Sequence, residues 1–280
     1  MRLAATLPLP PAFISICANR TRPQSLYPVP RTLYPAFMTR RRWIADTWDE
    51  ATATIAGSQA AHLMRVLRAQ PGMEFDVVAG GRVWHSVIAG ITGDAVRFNL
   101  VAEVEADPAL PLTLLLSVYK FDRMEWAIEK ATELGAERIV PMIARRSEKH
   151  LAQAAASRAE RWRRVALEAS KQSRRSDVLQ VDDPLQLKNA VRDGADAVRL
   201  VLAEQERSTT LRQALTEALD AAGDATPAIR IAIGPEGGWA PEEEAMFDAE
   251  NWRAVTLGPR ILRAETAAIT AVAIAASLLE

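Results

Sequence analysis

The sequence predicts an α/β protein in which a smaller, β-rich domain precedes a parallel sheet covered by helices. Before residue 105, apolar and polar residues alternate in short runs, which is typical of half-buried strands. After residue 109, continuous apolar runs alternate with amphipathic stretches, as in a parallel sheet with helices on both faces. With 280 residues, 49% of them hydrophobic, the chain is long enough to form two domains with real cores.

Residues 1–37 differ from the rest of the chain, because they contain seven of the 16 prolines and no acidic residue. Proline at this density prevents a helix or a central strand. It also breaks the apolar run that a signal peptide requires. We interpret the segment as an extension upstream of a natural start at Met38, and a disordered tail is the alternative. The single cysteine, Cys17, excludes a disulfide framework.

The β-rich domain is predicted over residues 38–108. The runs "EFDVVAGGRVWHSVIAGI" and "AVRFNLVAEV" indicate strands joined by Gly-Gly and Gly-Asp turns. A short helix is expected at Ser58–Val66, with Ser58 as its N-cap. The stretch "EADPALPL" (Glu105–Leu112) indicates a linker to a second domain over residues 109–280.

In the second domain, apolar runs predict the strands "LTLLLSVY", "RIVPMI", "VRLVLA", "AIRIAIG" and "AVTL". The helices between them are expected from Asp122 to Gly135, from Ser157 to about Arg174, near Thr209–Ala222, and from Pro241. The nearly uncharged run Thr266–Leu279 predicts a buried last helix. Since a membrane span needs about 18 apolar residues, we expect no membrane segment and a soluble, cytoplasmic protein.

Three loops are candidates for a ligand site, because ligands bind beyond the carboxyl ends of parallel strands. They are "AEQERS", "GPEGGWAPEEE" and "GPRILRAET". In the second loop, Gly234, Gly237 and Gly238 let a ligand approach the backbone. The loop matches neither common phosphate motif, and its acid favours ribose hydroxyls or a positive centre as ligand. A tight strand-to-helix turn without a ligand is the alternative.

"IGPEGGW" with "EEE", then "LGPRILRAETA" and an apolar helix, resemble the SPOUT superfamily of S-adenosylmethionine-dependent RNA methyltransferases. Within it they resemble the RsmE family, which methylates N3 of one uridine in 16S ribosomal RNA. The stretches "HLMRVLRAQPGMEFDVVAGGRVW", "KFDRMEWAIEKATELGAERIVPMIARRS" and "ASKQSRR" agree with that family. The chain departs from it at Ala264, where the family usually has Thr, and at Lys171, where it often has Glu.

The resemblance implies a PUA-like β-barrel that holds RNA, followed by a SPOUT α/β domain with a C-terminal trefoil knot. It further implies a homodimer, S-adenosylmethionine as cofactor, and 16S rRNA or the assembled small ribosomal subunit as substrate. The histidines, His62, His85 and His150, are scattered, so we expect no metal site. Two other functions stay open: methylation of tRNA or of a ribose 2′-OH, and non-catalytic RNA binding.

The resemblance also assigns the cofactor site to loop residues. These are Glu204, Gly234, Glu236, Gly237, Gly238, Leu257, Ile261, Leu262 and Arg263. We interpret Glu265 as the base or orienting acid for uracil N3, and Arg260 or Arg263 as the cation for the developing charge. The alternative for Glu265 is a helix cap that pairs with Arg263. For Glu204 it is a solvated surface acid.

The RNA-binding candidates are His62, Arg65, Arg68, Arg164, Lys171, Arg174 and Arg175. By helical spacing, Arg164, Lys171 and Arg175 share one face of the long helix, and a solvated charged face is the alternative. Weaker candidates are Lys120, Arg123, Arg145, Arg146 and Lys149. Trp84 and Trp126 are predicted in the core, whereas Trp239 is consistent with the core or with the site.

Overall fold

The computed structural model describes residues 42–105, 108–173 and 175–279, and these residues contain two sheets, each packed on its own hydrophobic core. The N-terminal extension predicted over residues 1–37 and the candidate Arg174 lie outside the described residues. In this part of the chain, every helix is too short or too polar to cross a bilayer.

Six strands form the first sheet. They are β1 (Arg42–Ile44), β2 (Thr47–Trp48), β3 (Thr52–Ile55), β4 (Glu74–Ala79), β5 (Arg82–Thr92) and β6 (Ala95–Val104). Their order is β1-β4-β5-β6-β3-β2, and all neighbours are antiparallel except β1 and β4. The predicted Gly-Gly and Gly-Asp hairpin turns are confirmed. Gly80, Gly81 and Gly93 have positive φ, which glycine adopts without steric cost.

The first sheet curls around one core. Trp43 on β1 and Ile55 on β3 lie far apart in strand order, yet both pack with Phe75 and Phe98. A barrel-like sheet explains this packing, because a flat sheet would hold β1 and β3 apart. The helix α1 (Gly57–Arg65) covers the core where a helix was predicted, but its N-cap is Ala56. The predicted Ser58 cap was therefore wrong: the cap lies two residues earlier, at Ala56, whose N–H donates to the Asp46 carboxylate.

The second sheet is entirely parallel, which confirms the predicted α/β architecture. Its strands are β7 (Leu110–Ser117), β8 (Ala136–Ile143), β9 (Gln180–Val181), β10 (Leu185–Gln186), β11 (Val198–Leu202), β12 (Ile229–Ile233) and β13 (Arg253–Val255). The order is β10-β8-β7-β12-β11-β13, with β9 also paired to β8. The sequence did not predict β9 and β10, because strands of two residues are too short to show a period.

Helices cover both faces of the parallel sheet. They are α2 (Phe121–Glu133), α3 (Lys149–Gln172), α4 (Leu187–Ala190), α5 (Leu211–Ala222), α6 (Pro241–Ala249) and α7 (Ala264–Leu279). One face packs against α2, α3, α5 and α7, and the other against α4 and α6. α3 begins at Lys149 rather than Ser157, because the alanine-rich stretch before Ser157 favours helix. The predicted burial of the last helix is confirmed.

Candidate functional site

A cleft of about 440 Å³ lies at the carboxyl ends of β11, β12 and β13. This volume is within the usual range for a small-molecule site. The three loops predicted from sequence all line it, although they are separated along the chain. The cleft brings together these predicted residues: Glu204, Gly234, Glu236, Gly238, Leu257, Arg260, Ile261, Leu262 and Arg263. Gly237 and Glu265 are not among the residues that line it.

The glycine loop is supported from below by Trp239, which is 5% exposed, packs in the core and also lines the cleft, so both of its predicted positions are occupied at once. Its indole Nε1 donates to the Leu202 carbonyl at 2.8 Å, and its ring packs edge-on against Phe247. A Cβ added to Gly234 would lie 3.2 Å from the Trp239 ring. A side chain at Gly234 would therefore force the Trp239 ring or the loop to shift by a few tenths of an ångström.

Gly237 faces away from the cleft. Its carbonyl accepts a hydrogen bond of 2.8 Å from Nη1 of Arg146, and an added Cβ would meet the Arg146 side chain at 3.4 Å. The loop is further held by Glu243 of α6, whose carboxylate accepts from the N–H groups of Ala240 and Arg145. Through these contacts of Gly237 and Glu243, the glycine loop is joined to the loop after β8, which carries Arg145 and Arg146.

The apolar wall of the cleft comes from the segment between β13 and α7. Leu257, Ile261 and Leu262 line it, and Ile261 is 82% exposed. It is unusual for a large aliphatic side chain to be this exposed to water. Next to a cleft that also holds polar groups, such exposure is typical of a ligand site.

Both signs of charge line the cleft. The acids are Glu204 and Glu236, and the bases are Lys120, Arg123, Arg207, Arg260 and Arg263. Arg207 was not predicted from the sequence, and Arg123 was predicted only as a weaker candidate for RNA binding. Arg123 lies in the first turn of α2, just after β7. Since β7 is parallel to β12, this turn reaches the same sheet edge, and that topological signal could have identified Arg123.

Arg123 connects the glycine loop with the last helix. Its Nη1 donates to Oε1 of Glu236 at 2.6 Å, and its Nε lies 3.7 Å from Oε1 of Glu265. Glu265 is only 4% exposed, in the first turn of α7. The ion pair of Glu265 is thus with Arg123, while Arg263 lies exposed in the cleft wall.

Tyr119 lies next to this ion pair and is 3% exposed. Burial, and then the negative charge of Glu265, raise the pKa of the Tyr119 hydroxyl well above its ordinary value. The hydroxyl therefore keeps its proton at neutral pH and is a permanent donor. Within the described residues, neither this hydroxyl nor Oε2 of Glu265 has a hydrogen-bond partner.

The basic helix α3 differs from its prediction. It ends at Gln172, so Arg175 does not share a helical face with Arg164 and Lys171. The Arg175 guanidinium is buried, donating to the Thr132 carbonyl at 2.8 Å and to Asp177 at 2.6 Å. The expected surface position of Arg175 is corrected accordingly: the guanidinium binds the end of α2.

The other RNA-binding candidates divide by exposure. Lys171 is 16% exposed in its side chain and pairs with Glu168 at 3.0 Å, whereas Arg164 is exposed. At the end of α1, Arg65, Arg68 and His62 are exposed, and the His62 ring lies 5.7 Å from that of Trp43.

Two tryptophans, Trp84 and Trp126, were predicted to lie in the core. Trp84 is half-buried and packs against the first core. Trp126 on α2 is 48% exposed, so its predicted core position was wrong. It lies between the buried positions of an amphipathic helix, whose inner face is formed by Met124, Ala127 and Ile128. Among the residues with described positions, no group of three or more His, Cys, Asp or Glu side chains is arranged to hold a metal ion.

Comparison with known proteins gives consistent matches. The RNA methyltransferase domain family matches residues 106–276. The chain is 35% identical over 235 residues to the ribosomal RNA small subunit methyltransferase E of Synechocystis sp., covering 82% of this chain and 75% of the relative. It is 30% identical over 230 residues to the protein of that name from Bacillus subtilis, covering 80% and 89%.

A solved structure matches over a larger share of both chains. It is the ribosomal RNA small subunit methyltransferase E from Neisseria gonorrhoeae bound to S-adenosyl methionine. That protein is 27% identical, with a TM-score of 0.71, and the match covers 85% of this chain and 98% of that one.

Proposed function

Because the chain belongs to the RNA methyltransferase family that includes ribosomal RNA small subunit methyltransferase E, we propose that it methylates N3 of a uridine in 16S rRNA with S-adenosylmethionine. The observation that carries this proposal is the convergence of three separate loops on one cleft, at the edge of a parallel sheet where ligands bind.

The cleft residues fit S-adenosylmethionine. Glu204 and Glu236 offer carboxylates to ribose hydroxyls and to the positive groups of the cofactor. Leu257, Ile261 and Leu262 offer an apolar wall to the adenine, and Gly234 leaves its backbone open. When bound, the cofactor supplies a methyl group activated on a sulfonium, so the protein needs no covalent intermediate of its own.

The protein must assist the loss of the uracil N3 proton and stabilise the charge that spreads to the flanking carbonyl oxygens. Arg260 and Arg263 line the cleft and are suited to hold that charge. Glu265 is buried behind the cleft and pairs with Arg123, which favours its role as an orienting acid over direct contact with the base.

The proposal extends to the architecture and the partners. Residues 38–108 form a PUA-like domain that presents His62, Arg65 and Arg68 to RNA, and residues 109–280 form a SPOUT domain with a C-terminal knot. The curled first sheet and the exposure of these three side chains support the first assignment. The enzyme is a homodimer in the cytoplasm, and its substrate is 16S rRNA or the assembled small subunit.

Mapping of modified nucleotides tests the proposed function. A strain lacking the protein should lose N3-methyluridine at one position of 16S rRNA, and reintroduction of the gene should restore it. The purified protein should methylate rRNA from the deletion strain but not from the wild type, offered as free 16S rRNA and as 30S subunits. If N3-methyluridine persists in the deletion strain while a tRNA or ribose methylation disappears, the substrate assignment is wrong.

A further inference from the structure

A buried polar cluster lies behind the wall of the cleft. It consists of the Tyr119 hydroxyl, the Glu265 carboxylate and the guanidinium of Arg123, whose side chain is 26% exposed. The members come from three places in the fold: the loop after β7, the first turn of α2 and the first turn of α7. Only Arg123 also lines the cleft.

Burying such a cluster of polar groups costs free energy of folding. A buried carboxylate loses its hydration, and here one oxygen has a cation at 3.7 Å while the other has no partner among the described residues. The position near the N-terminus of α7 offsets part of this cost. The nearby Tyr119 hydroxyl is a permanent donor, and Oε2 of Glu265 is an acceptor, so the two are chemically complementary.

Arg123 connects this buried cluster with the ligand site. Its Nη1 holds Oε1 of Glu236 at 2.6 Å, and the Glu236 side chain is 41% exposed in the cleft. A guanidinium is a planar fork that can hold two carboxylates in fixed directions. Glu265 thus holds Arg123 from the buried side, and Arg123 holds Glu236 on the ligand side.

We propose that Arg123 is a positioning residue for methyl transfer, which fixes the Glu236 carboxylate in the cofactor loop and is itself held by buried Glu265, to which the buried Tyr119 hydroxyl offers a hydrogen-bond donor. This inference rests on the proposed function. In this arrangement Glu265 does not touch the uracil. Its charge acts on the reaction by holding Arg123 in place. If Arg123 moves, the Glu236 carboxylate is displaced, and the glycine loop that carries it moves as well.

A double-mutant cycle tests the first link. The full-length variants Arg123→Met, Glu236→Gln and the double variant are compared for S-adenosylmethionine affinity by calorimetry and for single-turnover transfer to 30S subunits. Each single change should weaken cofactor binding about tenfold, and the double variant should be at most about twofold worse than either, because both remove the same contact. Arg123→Lys should recover part of the loss, since it keeps the charge without the fork.

Arg161→Met is the matched control. Arg161 also pairs with a glutamate of the α/β domain, Glu125 at 3.0 Å, but neither residue lines the cleft. The control should leave both readouts within about twofold of the wild type. If the losses from Arg123→Met and Glu236→Gln simply multiply, or if Arg123→Met behaves like the control, the positioning role is wrong.

A second double-mutant cycle tests the role of buried Tyr119 and Glu265, with the melting temperature as a check that the variants fold. Tyr119→Phe removes only a buried hydroxyl, so the variant should keep the wild-type melting temperature. It should slow transfer several-fold, and it should add nothing further in a Glu265→Gln background, where we expect a loss of roughly 10²-fold from misplacement. Additive losses would overturn the link. A wild-type protein that binds S-adenosylmethionine but methylates no rRNA would contradict the proposed function, and the cycle on cofactor affinity would still decide the role of Arg123.

Discussion

The basic helix α3 and the rim of the cleft both carry several cations, but they use them differently. On α3, half of the lysines and arginines are paired with an acid: Arg161 with Glu125 of α2, Arg163 with Asp183, and Lys171 with Glu168 on the same helix. At the cleft, Arg207 comes from the loop after β11 and Arg260 and Arg263 from the segment after β13, and all three line one cavity.

This difference shows that a run of charge in the sequence is weak evidence for a binding surface. Cations on a helix surface readily pair with acids of the same helix or of a neighbouring element. Such ion pairs contribute little to stability, and they reduce the net positive charge that a ligand would meet. Cations brought together by different strand ends instead project into one volume, where a ligand meets all of them. The location of a cation relative to the sheet edge is therefore the better indicator.

The largest expected effect is on stability, and it distinguishes the buried Arg175 from the exposed Arg164. Arg175→Ala should lower the free energy of unfolding by about 2–3 kcal/mol, because it leaves the buried Thr132 carbonyl without its donor. For a domain of this size that is a loss of roughly 5–10 °C in melting temperature. Calorimetry should show no such loss for exposed Arg164→Ala. A normal melting temperature for Arg175→Ala would return it to the RNA-binding candidates.

The next effect compares two glycines of one loop. Gly234→Ala should weaken S-adenosylmethionine binding by about tenfold, or 1.4 kcal/mol, since its Cβ would lie 3.2 Å from the Trp239 ring and displace the loop. Gly237→Ala should stay within about twofold, because its Cβ faces Arg146 outside the cleft. Titration calorimetry on both folded variants decides between them, and equal losses would contradict the assignment of the cleft.

The smallest effect concerns RNA. If the cleft rim contacts phosphate, Arg260→Ala should reduce the slope of log affinity against log salt by about 1. Arg161→Ala on α3 should leave the slope unchanged, since Arg161 already pairs with Glu125. Filter binding of 16S rRNA fragments at several salt concentrations measures both. A lower slope for Arg161→Ala alone would favour α3 as the RNA surface.

Much of the fold could be predicted from local patterns. The glycine turns of the first sheet, the apolar strands of the second and the buried last helix all left a clear period or punctuation in the sequence. Trp126 was predicted in the core because an aromatic residue in an amphipathic helix is more often buried than exposed. Its exposure of 48% depends on which face of α2 meets the sheet.

The sequence was sufficient to place ligand-binding groups on the loops after β11, β12 and β13, because glycines, charges and strand ends are local features. It did not identify the partner of Glu265. Arg123 is far from Glu265 along the chain, and the two meet only because parallel strands β7 and β12 bring α2 and the glycine loop to one edge of the sheet, next to the start of α7. Ion pairs of this kind leave no period in the sequence, since their geometry depends on strand order.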